Sequence, residues 1–279
     1  MTINSKGKLL DLSTPIVMGV LNITPDSFYE HSRIQTVDQL LNQAERMISE
    51  GAQILDIGGM SSRPDAKIIS EEVEIQRVLP AVRAVTRRFP EVVVSVDTFR
   101  SAVVRACFGE GAGIVNDISA GSLDDKLFET VAELGLPYIL MHMKGIPETM
   151  QAQAQYTDVA LEILDFLIKK VGILRGMSIK DIIVDVGFGF GKTVEQNFEL
   201  LRKLSVFKIL ECPLLVGISR KSMIWKALDI SPTESLNGTS IAHVYALAGG
   251  AKILRVHDVR EAIEAIKIFE RMKPTPNLI

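Results

Sequence analysis

Short, almost wholly apolar runs recur along the chain, each followed by a longer segment of helical period, and no other feature constrains the fold as much. The runs span 16–21, 54–57, 92–96, 113–115, 138–141, 182–184, 214–216 and 253–256. Strands buried on both faces of a parallel sheet have this composition, because neither face is left to water. Between them lie amphipathic segments. In 37–50, Val37, Leu40, Leu41, Ala44 and Ile48 form one stripe. Thr36 and Gln39 have capping-box spacing in front of it, and Gly51 is placed to close it in a left-handed conformation. The last helix is expected over 259–272, with Asp258 as N-cap and Glu261 completing a box. Others fall near 71–89, 100–109, 124–134, 158–175, 195–204 and 235–249, with Pro80 expected to bend or divide the first of these.

Eight sequential strand–helix units in 279 residues point to a closed (β/α)8 barrel, one domain over 1–279. A doubly wound open sheet is the runner-up. The residues from Pro274 read as a frayed tail. Lys plus Arg number 31 against 34 Asp plus Glu, a net charge of −3, so nothing draws the chain to nucleic acid or to an anionic membrane. Any anion must be held by a few placed groups. Cys107 and Cys212 have no metal-ligand or CxxC spacing and read as thiols in a reducing compartment. No signal-peptide pattern opens the chain, and no apolar stretch reaches the ~18 residues of a membrane span, so a soluble cytoplasmic protein is expected.

Each apolar run ends in polar residues. Asn22 closes the first and Gly58-Gly59 the second; then come Asp97, Asn116 with Asp117, His142, Asp185, the 217–222 segment GISRKS, and Arg255 with His257. In a parallel barrel these ends share one face, the C-terminal face where barrel enzymes keep their chemistry. Taken singly, each has a plainer reading. Asp117 and Asp258 are expected to be helix N-caps, His243 lies in a helical stripe, His31 in a polar loop, and His142 fits either role. The 187–192 segment GFGFGK lacks P-loop spacing and reads as a tight turn. Arg220 and Lys221, flanked by Ser219 and Ser222, suit anionic or carbonyl oxygens.

Together these segments resemble the dihydropteroate synthase family over nearly the whole chain. They are MGVLNITPDSF (18–28), GGMSSRP (58–64), LMHMKGIPETMQ (140–151), DVGFGFGK (185–192), GISRKS (217–222) and RVHDV (255–259), in the family's order. The resemblance implies a barrel, usually dimeric, that joins 6-hydroxymethyl-7,8-dihydropterin pyrophosphate to p-aminobenzoate and releases pyrophosphate with Mg2+. It implies a pterin pocket of Asp97, Asn116, Met141, Asp185, Lys221 and Arg255, with Asp97, Lys221, Arg255 and His257 acting in catalysis. It implies Asn22 as the Mg2+ ligand and Asn22, Arg63, Arg255 and His257 around the pyrophosphate. The p-aminobenzoate subsite would comprise Phe28, Ser62, Arg63, Pro64, Phe190 and Ser222. The chain departs from the family pattern at 29–32, and at Met60, Ser62, Asp65 and Val186, where Glu, Thr, Gly and Pro are usual.

The chemistry suits these residue types. A carboxylate accepts two parallel N–H bonds from the amino-pyrimidine edge of a pterin, an amide both donates and accepts, and an ammonium donates to the ring carbonyl. An aromatic amine is neutral near pH 7 and needs orientation more than a base. Two other readings compete. A pterin-dependent methyltransferase would not need Arg63, the SRKS cluster or the Arg255–His257 pair. A non-catalytic pterin-binding paralogue would have no use for Asn22, Arg255 and His257.

Overall fold

The computed structural model describes residues 1–23, 33–60, 68–147 and 149–272. An antiparallel hairpin comes first, β1 (Thr2–Ser5) and β2 (Lys8–Asp11), joined by Lys6 and Gly7, both at positive φ. That conformation at both central residues matches the right-handed twist of the flanking strands. The barrel strands are β3 (Ile16–Asn22), β4 (Ile54–Gly58), β5 (Val93–Asp97), β6 (Ile114–Asp117), β7 (Tyr138–Met141), β8 (Ile182–Asp185), β9 (Leu214–Val216) and β10 (Ala251–Val256). They close in the order β10-β3-β4-β5-β6-β7-β8-β9 with parallel pairing throughout. The expected barrel is the observed one.

The helices are α1 (Arg33–Glu50), α2 (Glu71–Arg88), α3 (Ser101–Gly109), α4 (Leu127–Leu134), α5 (Val159–Gly176), α6 (Val194–Arg202), α7 (Ser222–Leu228), α8 (Leu236–Gly249) and α9 (Val259–Met272). Their apolar stripes and the outward faces of the strands make the main core, with Leu21, Leu55, Val94, Val115, Leu140, Val184, Val216 and Leu254 from the strands. Among the described residues no helix is long and apolar enough to cross a membrane.

Inside the barrel a second core holds Ile16, Met18, Ile54, Val93, Ile114, Ile139, Ile183, Leu215 and Ile253. Ile3, Leu10 and Leu12 belong to it, so the hairpin plugs the N-terminal end. Side chains two apart on a strand share a face. Moving up by two from this apolar floor therefore reaches Asp56, Ser95, Asn116, Met141, Asp185 and Arg255, and by two more Gly58 and Asp97. The interior changes from apolar to polar toward the C-terminal ends.

Several local expectations are corrected. α1 starts at Arg33, so Thr36 lies inside it and cannot be its N-cap; Arg33, Ile34 and Gln35 extend the helix upstream. Gly51 does close it, at φ +112, with its amide on the Ile48 carbonyl at 3.0 Å. Pro80 does not divide α2, because Gln76 and Pro80 are both exposed and the carbonyl that loses its amide is left open to solvent. Asp117 caps no helix: its carboxylate accepts from the Ser119 and Gly121 amides, each at 2.7 Å, and from the Tyr138 hydroxyl at 2.5 Å. α4 begins only at Leu127. Asp258 does precede α9, but its carboxylate is taken by Arg220 at 2.8 and 2.9 Å. The hairpin and α7 are elements that the apolar pattern does not mark, since both are too short to carry a period.

Candidate active site

The floor of the mouth is built on strands. Arg255, near the end of β10, reaches across β3 to β4, where Nε donates to Asp56 Oδ2 at 2.7 Å and Nη2 stands in ion-pair contact with that oxygen at 2.6 Å. The same Nη2 donates to Asp97 Oδ2 at 2.7 Å. From β6, Asn116 Nδ2 donates to Asp56 Oδ2 at 2.9 Å. Gly58 lets this cluster meet the first strand: a Cβ there would stand 3.3 Å from Asp97 Cβ and 3.6 Å from Asn22 Oδ1. Gly217 plays the same part on the far side, where a Cβ would stand 3.8 Å from Arg255 Cβ and 3.9 Å from Lys221 Nζ. Asn22, Asp97, Asn116, Lys221 and Arg255 thus meet at the C-terminal mouth of the barrel.

Asp185 is fixed by the segment after it, with Oδ1 accepting from Gly187 N at 2.8 Å. That segment is the expected tight turn, closed by Phe190 N on Gly187 O at 3.1 Å, with Gly187, Gly189 and Gly191 all at positive φ. Lys192 locks it from within. Its buried Nζ donates to the carbonyls of Gly187 and Phe190 at 2.7 and 2.9 Å and meets His142 Nδ1 at 3.2 Å. His142 is therefore a packing residue, set edge-on to Phe166. The turn delivers Phe188 O to Lys221 Nζ and sets the Phe190 ring under that same ammonium, 4.6 Å from its centroid. Phe190 and Met141 belong to an apolar cluster with Phe99, Ile118 and Met150, against which Met60 packs. One side of the mouth is charged and the other apolar.

The SRKS cations do go to anionic and carbonyl oxygens, but to the protein's own. Arg220 holds Asp258 and donates to the Pro232 and Thr233 carbonyls at 3.2 and 2.7 Å. It tethers the segment between α7 and α8 and is not available to a ligand. Ser219 supports His257, its Oγ standing 3.2 Å from both the backbone N and Nδ1. His257 is exposed at the rim and Ser222 opens α7, half-buried. Phe28, Ser62, Arg63 and Pro64 lie outside the described residues.

Burying these charges perturbs them. Asp97 is pushed up to about 7 by burial, with Arg255 opposing and Asp56, Glu74 and Asp117 adding to the rise. Burial raises Asp185 too, against the pull of Lys221. Lys221 falls to about 8, burial outweighing its attraction to Asp185. Burial works against the Arg255 charge, but Asp56 and Asp97 more than offset it and the guanidinium is held charged. Perturbed groups gathered in one mouth mark it as a candidate functional site. Among the described residues no cluster of three or more His, Cys, Asp or Glu side chains could hold a metal. The oxygen available at the mouth, beside Asp97, is the amide Oδ1 of exposed Asn22. A hard cation that keeps most of its water and takes ligand phosphate oxygens fits one such donor.

Asp56 and Lys192 carry much of this geometry, and the pattern of polar strand ends passes over both. Asp56 had a signal: a lone carboxylate at an inward position of an otherwise apolar strand. Lys192 had none beyond its place at the end of the glycine-rich turn.

A family profile described as pterin binding enzyme matches residues 18–257. The dihydropteroate synthase of Escherichia coli (strain K12) is 44% identical over 272 residues, covering 97% of this chain and 96% of that one. Among solved structures, Xanthomonas albilineans dihydropteroate synthase with 4-aminobenzoic acid superposes with a TM-score of 0.91 at 35% identity, covering 99% of each chain. The same enzyme in complex with 7,8-dihydropteroate gives 0.88 at 33% identity, over 99% of this chain and 100% of that chain.

Proposed function

The chain belongs to the family of pterin-binding enzymes, and from that premise we propose that it is a transferase catalysing the dihydropteroate synthase reaction of folate biosynthesis. The substrates are 6-hydroxymethyl-7,8-dihydropterin pyrophosphate and p-aminobenzoate. The bond between the pterin methylene and the pyrophosphate oxygen breaks, a bond from the amine nitrogen to that carbon forms, and pyrophosphate and a proton leave. The observation that carries this reading is the meeting of Asp97, Asn116, Lys221 and Arg255 in one mouth with Asp185 held beside them.

In this reading the Asp185 carboxylate accepts from the amino-pyrimidine edge and Lys221 donates to the ring carbonyl. Asp97, the carboxylate nearest the rim, offsets positive charge as the methylene loses its leaving group. Arg255, with His257 at the rim, takes the charge that builds on pyrophosphate, and Arg63 joins them. Phe190 and Ser222, with Phe28, Ser62, Arg63 and Pro64, form the p-aminobenzoate subsite. A site that buries this many polar groups rejects rings that leave them unpaired. Asn22 would hold Mg2+, which when bound neutralises phosphate charge.

Two further assignments accompany the reaction. The exposed apolar side chains Leu228, Ile241, Tyr245, Ile268 and Met272 on α7, α8 and α9 support a homodimer through that side. The free thiols of Cys107 and Cys212 suit the cytoplasm. The strand-end cations count against a mere pterin binder, and the relatives against a methyltransferase.

Pyrophosphate release from purified protein, given both substrates and Mg2+, tests the function. Release that requires p-aminobenzoate is expected. Pterin binding without release would point to a paralogue, and methyl transfer from a methyl-pterin to the other enzyme class.

A further inference from the structure

Asp56 touches no substrate in the proposed reaction, yet it is the most heavily used acceptor in the mouth. It is fully buried on β4, at the centre of the five adjacent strands β10-β3-β4-β5-β6. One of its oxygens accepts from Nε of Arg255 on one side, at 2.7 Å and with Nη2 in ion-pair contact at 2.6 Å, and from Nδ2 of Asn116 on the other, at 2.9 Å. The two side chains it holds come from strands on either side of its own immediate neighbours. Neither could be fixed from its own strand alone.

We propose that Asp56 is a positioning residue, which sets the guanidinium of Arg255 and the amide of Asn116 in the orientations that receive the pterin substrate. The proposal rests on the reading of this mouth as a pterin pocket.

Two arguments carry it. Arginine has a long side chain that loses considerable freedom when it is held. Here Asp56 grips it by two nitrogens and Asp97 by one of the same two, so the planar head has one orientation before any ligand arrives. For Asn116 the consequence is specificity. An amide can turn over and exchange its donor for its acceptor. A carboxylate oxygen 2.9 Å away accepts only, so Nδ2 must face Asp56 and Oδ1 must face away from it. A ligand meeting Asn116 therefore meets an acceptor and must bring an N–H. Without the carboxylate the amide is free to turn, and that discrimination goes.

The test uses Asp56→Asn and Asp56→Glu in the full-length protein. It measures the KM for each substrate, kcat, calorimetric affinity for the pterin substrate, and the thermal midpoint. For Asp56→Asn we expect pterin affinity to fall about 10- to 100-fold, as the loss of one or two charge-assisted hydrogen bonds implies. The KM for p-aminobenzoate should stay within about 2-fold and the melting temperature within a few degrees. Asp56→Glu keeps the charge but displaces it, and should weaken pterin affinity with the same split; it serves as the folded variant should the other fail to fold. In combination with Asn116→Ala, the effect of Asp56→Asn on pterin affinity should shrink by about 2- to 5-fold, because the part that runs through Asn116 is already lost while the part through Arg255 remains.

A purely structural Asp56 would lower the melting temperature and the active fraction, leave both KM values alone, and combine additively with Asn116→Ala. Either of the last two results overturns the proposal. Wild-type protein that releases no pyrophosphate sinks the proposed reaction, while the calorimetric comparison still decides the role of Asp56. Active wild type with Asp56→Asn equal to it sinks the role of Asp56 alone.

Discussion

Gly187 and Gly189 lie two residues apart in one turn, both in the left-handed region, and the structure separates their fates on substitution by alanine. At either site an L-residue costs about 1–2 kcal/mol for that backbone conformation. At Gly189, φ +82, the new Cβ would meet the Cδ of Lys221 at 3.2 Å, the middle of a flexible side chain. At Gly187, φ +69, it would stand 2.0 Å from the backbone carbonyl oxygen of His142. A carbon seldom approaches such an oxygen closer than about 3.3 Å, so one backbone must move by roughly 1 Å. Overpacking of that kind costs about 1–3 kcal/mol. The move also stretches the 2.8 Å bond from Gly187 N to Asp185 Oδ1, and a hydrogen bond to a charged group contributes about 1.5–3 kcal/mol. Gly187→Ala should therefore destabilise by about 4 kcal/mol or more and Gly189→Ala by about 1–2 kcal/mol. Urea unfolding followed by circular dichroism, with both variants sharing the wild-type m-value, measures the difference. Pterin affinity should fall in Gly187→Ala well beyond its fall in Gly189→Ala, because Asp185 loses its anchor. Two variants within about 1 kcal/mol of each other would refute the claim that this turn is locked against the preceding loop.

In the proposed reaction Asp97, at about 7, would have to lose its proton to oppose positive charge on the methylene, so kcat/KM for the pterin substrate should rise through neutral pH with a limb near that value. Asp97→Asn should remove the limb and cut kcat by about 10- to 100-fold, more than it changes pterin affinity; a variant with wild-type kcat sinks that role. The same shift has the opposite sign for stability. A carboxyl raised in the folded state binds its proton there more tightly than when unfolded, so its contribution is greatest in acid and declines as pH climbs from the ordinary 3.8 toward about 7. Unfolding titrations should show Asp97→Asn gaining stability relative to wild type across that window, and an unchanged difference would count against the burial argument. Asn22→Ala should raise the Mg2+ concentration for half-maximal activity at least about 10-fold and leave pterin affinity without metal unchanged; an unmoved Mg2+ dependence would remove Asn22 from the metal site.

The barrel was legible because burial on both faces of a parallel strand leaves a composition that a reader can count. The site was legible for a related reason. Asn22, Asp97, Asn116, Asp185 and Arg255 break the apolar runs at their C-terminal ends, and the structure shows each of them to be the strand itself continuing, not a loop after it. A parallel ladder bonds through the backbone and is indifferent to the side chain, so β5 ends at Asp97 and not at the last valine. The illegible features depend on partners remote in sequence. Asp117 is locally a plausible cap, but its hydroxyl partner Tyr138 comes from the next strand. Arg220 looks free until Asp258, 38 residues on, takes it. The burial of Lys192 needs carbonyls that only the folded turn points inward.

The division between strand-borne and loop-borne groups stems from what each must do. Groups that recognise a rigid flat ring profit from positions set by the ladder, where a neighbouring strand fixes the backbone to fractions of an ångström. Of the groups proposed for the pterin, Asp97, Asn116, Asp185 and Arg255 stand on strands and Lys221 precedes α7; Asp97, Asn116 and Arg255 are braced through Arg255 and the strand-borne Asp56. The polar interior is costly to stability, since each buried carboxylate needs a partner. The apolar floor of Ile54, Val93, Ile114, Ile139, Ile183, Leu215 and Ile253, sealed by the hairpin, lies directly beneath and offsets that cost. Removing the side chain of Leu12, wholly buried in that floor, should therefore loosen the site from below: Leu12→Ala is expected to cost about 2–4 kcal/mol in unfolding experiments. Its affinity for the pterin substrate should fall with it, though no atom of Leu12 reaches the mouth. Full affinity in a variant so destabilised would mean that the strand ladder holds the polar layer without help from the layer below.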